Sequence, residues 1–194
     1  MASATGQRFP DDVRLQTARL LLRPFEAGDV PDVVAGCADE LTQRWLPLPR
    51  PYTEADARAW CLEMAPGLLA GGDGIHWAAV ELATGRLAGG FGLKRTDWPA
   101  RVSEIGYWVA PWARGRGVAT DAAGEIARWL LADQAFERLE LRAATGNAAS
   151  QRVAEKAGYV REGVLRNAGH VHGGRVDLVV FSVIPADRRS SPPP

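Results

Sequence analysis

"PWARGRGVAT", Pro111–Thr120, is the stretch whose reading decides the fold. It sets two arginines and two glycines between an apolar strand-like run and an apolar helix-like run that starts at Val118. Glycine tolerates backbone turns that other residues resist, and it lets an anion approach the chain closely. A helix that begins here offers unpaired N–H donors and the positive end of its dipole. The physics describes a seat for a phosphate or pyrophosphate, with Arg114 and Arg116 adding local charge. A surface turn with solvated charges is the competing reading, and the rest of the chain decides between them. The stretch lacks the Gly-Lys-Ser/Thr ending of a nucleoside-triphosphate loop. "GRGVAT" partly matches a dinucleotide fingerprint, but the next strand carries its acid, Glu140, in mid-strand, and a meander lies upstream in place of βα units.

Working outward, "VSEIGYWVAP" reads as a strand. "GVATDAAGEIARWLLADQ" reads as a helix with Val118, Ala122, Ile126, Trp129 and Leu130 on one face. "RLELRAA" is the next strand. This strand–helix–strand unit, Val102 to Ala144, predicts two parallel strands. "HWAAVEL" and "RLAGGFGLKR" flank "ATGR" as a hairpin and complete a three-strand meander. "TARLLLRPF" is a strand ended by Pro24. "EAGDVPDVVAGCADE" is a helix with Asp29 as a capping residue. "YTEADARAWCLEMAPGLLAGG" is a helix capped by Thr53 and stopped or kinked at Pro66. After the strand at 138–144, "NAASQRVAEKAGY" is a short helix ending at Gly158, and two strands follow around a turn at Gly173 and Gly174. The order predicts one α+β domain with a mixed sheet, residues 15–185, between a flexible N-terminus, 1–14, and a disordered tail, 186–194.

The formal net charge is zero. No field is built to attract nucleic acid or anionic lipid, so any basic site is local. The N-terminus lacks the apolar core of a signal peptide, and no run reaches the roughly 18–20 apolar residues that cross a membrane. The expectation is a cytoplasmic protein with no nucleic-acid or membrane partner. Cys37 and Cys61 read as buried apolar residues. "HVH", His170–His172, has no evident third ligand, so no metal site is read.

Several of these segments together resemble the GNAT superfamily of acetyl-CoA-dependent N-acetyltransferases, whose signature is Arg/Gln-x-x-Gly-x-Gly/Ala. Arg114, Gly117 and Ala119 match it. "TARLLLRPFEAGD", "EIGYWVAPWARGRGVATDA" and "NAASQRVAEKAGYVREGVLR" are similar, in order, to the first strand, pyrophosphate loop and second cofactor segment of the branch that holds the ribosomal-protein N-terminal acetyltransferases. The resemblance spans about Thr17 to Ile184. It implies a mostly antiparallel sheet, flanked by helices and splayed between its fourth and fifth strands. It also implies transfer of an acetyl group from acetyl-CoA to a primary amine.

By the same resemblance, the backbone from Arg114 through Gly115, Arg116, Gly117, Val118 and Ala119 to Thr120 holds the pyrophosphate. Trp108 and Val109 lie where a bulge opens the sheet, and the Val109 N–H would polarise the thioester carbonyl. Asn147 would contact the pantetheine arm or cap a helix. Arg152, and more distantly Lys156, would reach the nucleotide phosphates. Glu104 sits where this branch often carries a base for the acceptor amine. The tyrosine that many members use as the acid, seven residues after the motif asparagine, is Ala154 here. Ser150 is the remaining candidate beside the departing thiolate. Trp45, Trp60 and His170 are the residues expected around the acceptor. That acceptor is a protein N-terminus or a small amine, and a CoA-binding sensor without turnover is the alternative. A larger acyl donor would need a cation near the acyl end. Dimers are common in this branch, so a homodimer is one expected assembly.

Overall fold

The strand Ile75–Glu81 shows why the molecule needs two layers of helix. Trp77 and Ala79 are buried in one apolar cluster, while Ala78 and Val80 are buried in a second. Successive strand residues point to opposite faces, so both faces of the sheet must be covered here. The computed structural model describes residues 7–189 and supplies both covers.

The strands are β1 (Leu15–Gln16), β2 (Leu20–Arg23), β3 (Ile75–Glu81), β4 (Leu87–Asp97), β5 (Val102–Val109), β6 (Arg138–Ala144), β7 (Val160–Val171) and β8 (Gly174–Val183). They form one sheet in the order β1-β2-β3-β4-β5-β6-β8-β7. Every pairing is antiparallel except β5 with β6. The two-residue β1 was not foreseen and shifts the count, so the fourth and fifth strands of the sequence reading are β5 and β6.

The helices are α1 (Val30–Ala38), α2 (Glu40–Trp45), α3 (Glu54–Ala59), α4 (Ala65–Gly71), α5 (Val118–Arg128), α6 (Ala148–Lys156) and α7 (Pro185–Arg189). Residues of α1, α3 and the turn after α3 close one face through Val30, Val33, Cys37, Ala57 and Cys61. The apolar stripe of α5 closes the other, and Val118, Ala122, Ile126, Trp129 and Leu130 are all buried there as their spacing predicts. Both cysteines are free and buried. Among the described residues no helix is long and apolar enough to cross a membrane.

Several local expectations are corrected. The segment read as one helix from Glu26 to Glu40 is broken at Asp39, whose carboxylate accepts from the Leu41 and Thr42 amides and starts α2. Asp29 does not cap α1 with its side chain. It pairs with the Arg23 guanidinium through both oxygens, at 2.8 and 2.9 Å, and takes the Glu26 N–H. Thr53 caps α3 as expected. Pro66 does not end that helix, because a π-type turn, Trp60–Met64, leads into α4, where proline falls in the first turn. Chain ends are also better packed than composition suggests. Phe9 is 1% exposed and contacts the rings of Trp98, Trp129 and Phe136. Residues 185–189 form α7, with Arg188 bonded to the Gly124 carbonyl. Residues 1–6 and 190–194 of the expected flexible ends lie outside the described residues.

Candidate active site

The parallel pairing of β5 with β6 runs from Val102↔Arg138 to Ile105↔Leu141 and stops there. Both strands continue, β5 to Val109 and β6 to Ala144. The sheet therefore opens a cleft, as the splayed-sheet expectation required. No bulge at Val109 causes it. The β4–β5 register is unbroken from Gly89↔Val109 to Lys94↔Glu104, and its irregularity lies near Asp97. The parting is a loss of pairing with β6.

Ladder alternation then says which backbone groups face the cleft. Ala110 donates to the Ala88 carbonyl, so that pair exchanges bonds with β4. Val109 and Tyr107, out of phase with it, turn their N–H and C=O toward the β6 side. Beyond Ile105 no strand meets them. The Trp108 backbone instead faces β4, and its ring lies against Gly36 of α1 and Gly90. The Trp108 backbone is thus turned away from the parting that the Val109 N–H faces.

The loop Arg114–Gly117 closes the top of the cleft. Gly115 and Gly117 have φ of 72° and 83°, the left-handed region that glycine enters without cost. Among the described residues the loop amides have no backbone acceptor. Those of Val118, Ala119 and Thr120 are the unpaired first turn of α5. The arginine side chains do not join them as free charges. Arg114 donates to the Val109 carbonyl at 3.1 Å, to Asp39 at 2.5 Å and to the Thr42 hydroxyl at 2.9 Å. Its guanidinium holds the Asp39 carboxyl below the usual carboxylate range. Arg116 pairs with Glu81 at 2.9 Å. Arg19, missed in the sequence, clasps the loop from outside by donating to the Arg116 carbonyl at 2.8 Å and to Asp121.

Glu104 stands on the α1 face, one residue before the pairing ends, and is 5% exposed. Its carboxylate contacts Lys94 at 3.1 Å, Arg95 at 3.1 Å and Arg142 at 3.6 Å. On the α5 face, Ser150 is 2.8 Å from the Tyr107 hydroxyl. Tyr107 stacks on Phe91 at 5.3 Å, and burial pushes its phenol up to about 12. Tyr107 is 43 positions from Ser150, so no local pattern announced the contact. Asn147 caps α6, with Oδ1 accepting the Ser150 N–H at 3.1 Å. Ala154 is fully buried, so no acid stands at that position. Arg152 and Lys156 lie one turn apart and exposed on α6.

The three expected acceptor residues are not brought together. Trp60 packs edge-on against His76 at 4.9 Å, in the α1 face. Burial, with Lys94 adding, pushes the His76 imidazole down to about 4. His170 is exposed on the edge strand β7, opposite Arg175. Trp45 does line a pocket of about 370 Å³, with Arg44, Arg50, Val171, His172 and Gly173. Of the two histidines of "HVH", His172 lines this pocket and His170 does not.

Residues 19–160 match the family model described as the acetyltransferase (GNAT) domain. A relative from Bacillus subtilis (strain 168), named "Putative ribosomal N-acetyltransferase YdaF", is 34% identical over 92 residues, which cover 47% of this chain and 50% of that one. A second from the same organism, named "Uncharacterized N-acetyltransferase YoaA", is 26% identical over 170 residues, covering 88% and 96%. Among solved structures, a GCN5-related N-acetyltransferase from Brucella melitensis superposes with a TM-score of 0.79 at 25% identity, covering 93% of this chain and 82% of that one.

Proposed function

Because the chain belongs to the GNAT acetyltransferase family, we propose that it moves an acetyl group from acetyl-CoA to a primary amine by direct attack on the thioester. The observation that carries this reading is the cleft itself. Two strands part under a loop whose amides have no backbone acceptor, and the Tyr107 backbone and the Val109 N–H line the parting with no strand to pair them. An elongated ligand with a pyrophosphate and an amide-bearing arm fits that donor set: anion at the loop and helix start, arm along a strand edge.

When bound, acetyl-CoA supplies the activated acyl group and a thiol near pKa 8–9, a fair leaving group. The chain's own residues do the rest. The amides of Arg114–Thr120 bind the pyrophosphate, while the Arg114, Arg116 and Arg19 side chains hold that loop in shape. The Val109 N–H orients and polarises the acyl carbonyl. Glu104, on the opposite face, accepts the proton that the incoming ammonium must lose, directly or through a water. Ser150 hydrogen-bonds the leaving sulfur from the other side, with its hydroxyl fixed by Tyr107. Asn147 Nδ2 reaches the arm while Oδ1 caps α6, and Arg152 with Lys156 meets the nucleotide phosphates.

Two observations favour a second reading, a CoA-binding sensor without turnover. Glu104 already touches three cations, and the usual acid position is an alanine. Calorimetric titration with acetyl-CoA followed by CoA-release assays on an amine panel separates the two. Micromolar binding with turnover supports the enzyme, binding alone supports the sensor, and no binding by folded protein ends both. Glu104→Gln also strips a counter-charge from Lys94, Arg95 and Arg142. The base role is therefore read from turnover at unchanged acetyl-CoA affinity: Glu104→Gln should lose kcat and Glu104→Asp should recover part of it, and near-normal turnover in Glu104→Gln removes Glu104 from the chemistry.

A further inference from the structure

We propose that the pocket beside the cleft, between α2 and the β7–β8 turn, binds an anionic group of the acceptor, so that the acceptor is a small amine carrying a carboxylate or phosphate. The inference rests on the acetyltransferase reading and names the substrate class for that site.

Arg44 and Arg50 give the lining its positive charge, and Trp45 and His172 give it aromatic rings. No carboxylate lines it. Among the described residues, Arg23, Arg114, Arg116, Arg138 and Arg142 are each paired with an acid. Arg44 and Arg50 have no such pair. Arg50 spends its Nε and one terminal nitrogen on neutral oxygens of Gln43, at 2.8 and 2.9 Å, which fixes the guanidinium without neutralising it. The Arg44 guanidinium lies 5.2 Å from the centre of the Trp45 ring. Glu40 lines a second depression that shares Arg50, and it makes no ion pair with that residue. A guanidinium held in place and left without a carboxylate is built to receive one from outside.

Position connects the pocket to the chemistry. Extending the β5–β6 register beyond Ile105↔Leu141 sets Val109 level with Thr145. The next residue is Gly146, and a Cβ placed there would come within 3.2 Å of the Trp45 ring. Trp45 therefore lies over the end of β6 at the level where the acyl carbonyl is expected. Beside it, three cations, Lys94, Arg95 and Arg142, share two carboxylates, Glu104 and Glu140, so an excess of positive charge remains. An acceptor entering here meets positive charge on a chain whose formal net charge is zero. Polyamines and other polycations are disfavoured by that field, and an amine with its own negative group is drawn in.

The test is a set of matched amines at saturating acetyl-CoA: glutamate against glutamine, O-phosphoethanolamine against ethanolamine, and putrescine as the cation. The anionic member of each pair should have kcat/KM about tenfold or more above its neutral partner, as for hydrogen bonds to a charged group. Arg44→Glu/His172→Glu should remove that preference, whereas Arg58→Glu, an exposed α3 change outside the site, should leave it. Acetyl-CoA titration of each variant separates loss of the pocket from loss of the fold. A carboxylate preference without a phosphate preference, or the reverse, identifies the source of the anion. Equal rates for neutral and anionic amines, or a preference that survives the double charge reversal, overturns the proposal. If the wild type binds acetyl-CoA but acetylates nothing in the panel, quenching of Trp45 fluorescence by O-phosphoethanolamine, absent in Trp45→Phe, still decides it. If the wild type fails to bind acetyl-CoA, the function reading fails first and the same quenching measurement judges the pocket alone.

Discussion

The loop at Arg114–Gly117 and the pocket at Arg44–Arg50 use the same residue type in opposite ways. In the loop, Arg114 and Arg116 are each neutralised by a carboxylate of the protein, Asp39 and Glu81. They shape the backbone proposed to bind the pyrophosphate. In the pocket, Arg44 and Arg50 are left without a carboxylate, and the side chains face the space. An arginine in a ligand motif thus need not touch the ligand, and its partner in the fold tells which role it has.

The largest effect should come from attacking the loop backbone. Gly117→Trp forces a side chain onto a φ of 83°, where even a Cβ would lie 2.8 Å from the Arg19 guanidinium. Acetyl-CoA affinity should fall roughly 100-fold, on the order of 3 kcal/mol of strain and displacement. Calorimetry showing near-normal affinity would mean that the backbone is not the seat. Next is Arg114→Ala, which leaves Asp39 without its cation and the Val109 carbonyl without its donor. A loss of about 1–3 kcal/mol, in thermal stability and cofactor affinity together, is expected. If affinity fell with no change in melting temperature, Arg114 would be a ligand contact after all.

Smaller effects sharpen the comparison. Tyr107→Phe should lower kcat about three- to tenfold, and adding Ser150→Ala should cost little more, because the two hydroxyls act as one unit. Fully additive losses would separate them. The Asp39 anchor has a pH signature. Its native carboxyl titrates below the unfolded value, so its contribution is complete above about pH 4 and fades as pH falls through the native value. Acetyl-CoA affinity should weaken in that acid window in the wild type and far less in Arg114→Ala.

At the alkaline end, all three tyrosines, Tyr52, Tyr107 and Tyr159, are raised, first by burial. Their stabilisation is whole below pH 10 and is lost as pH rises through the native values, so phenolate absorbance should appear late and together with unfolding. A tyrosine ionising near pH 10 in the folded protein contradicts the burial of its ring.

Sequence reading reached the loop because its logic is local. Glycines at fixed spacing and a helix start lie within ten residues, and the physics of a phosphate seat needs nothing else. The parallel β5–β6 pair followed equally from one strand–helix–strand unit. What stayed hidden depends on distant partners. Arg114 looks like a free charge until Asp39, 75 positions upstream, is folded against it. Phe9 sits in a polar segment whose composition says nothing of the three rings that receive it. Trp60 and Trp45 are alike in sequence, yet the π-type turn places one against His76 and leaves the other at the pocket.

Helix α2 begins at the Asp39 cap, which grips the loop arginine, and ends at Trp45, which rests over Gly146. Six residues of helix span about 9 Å. The two seats thus hang from opposite ends of one short lever. If filling the first shifted the loop, α2 would carry that shift to the wall of the second, and any change the donor made in acceptor affinity would be returned by the same factor.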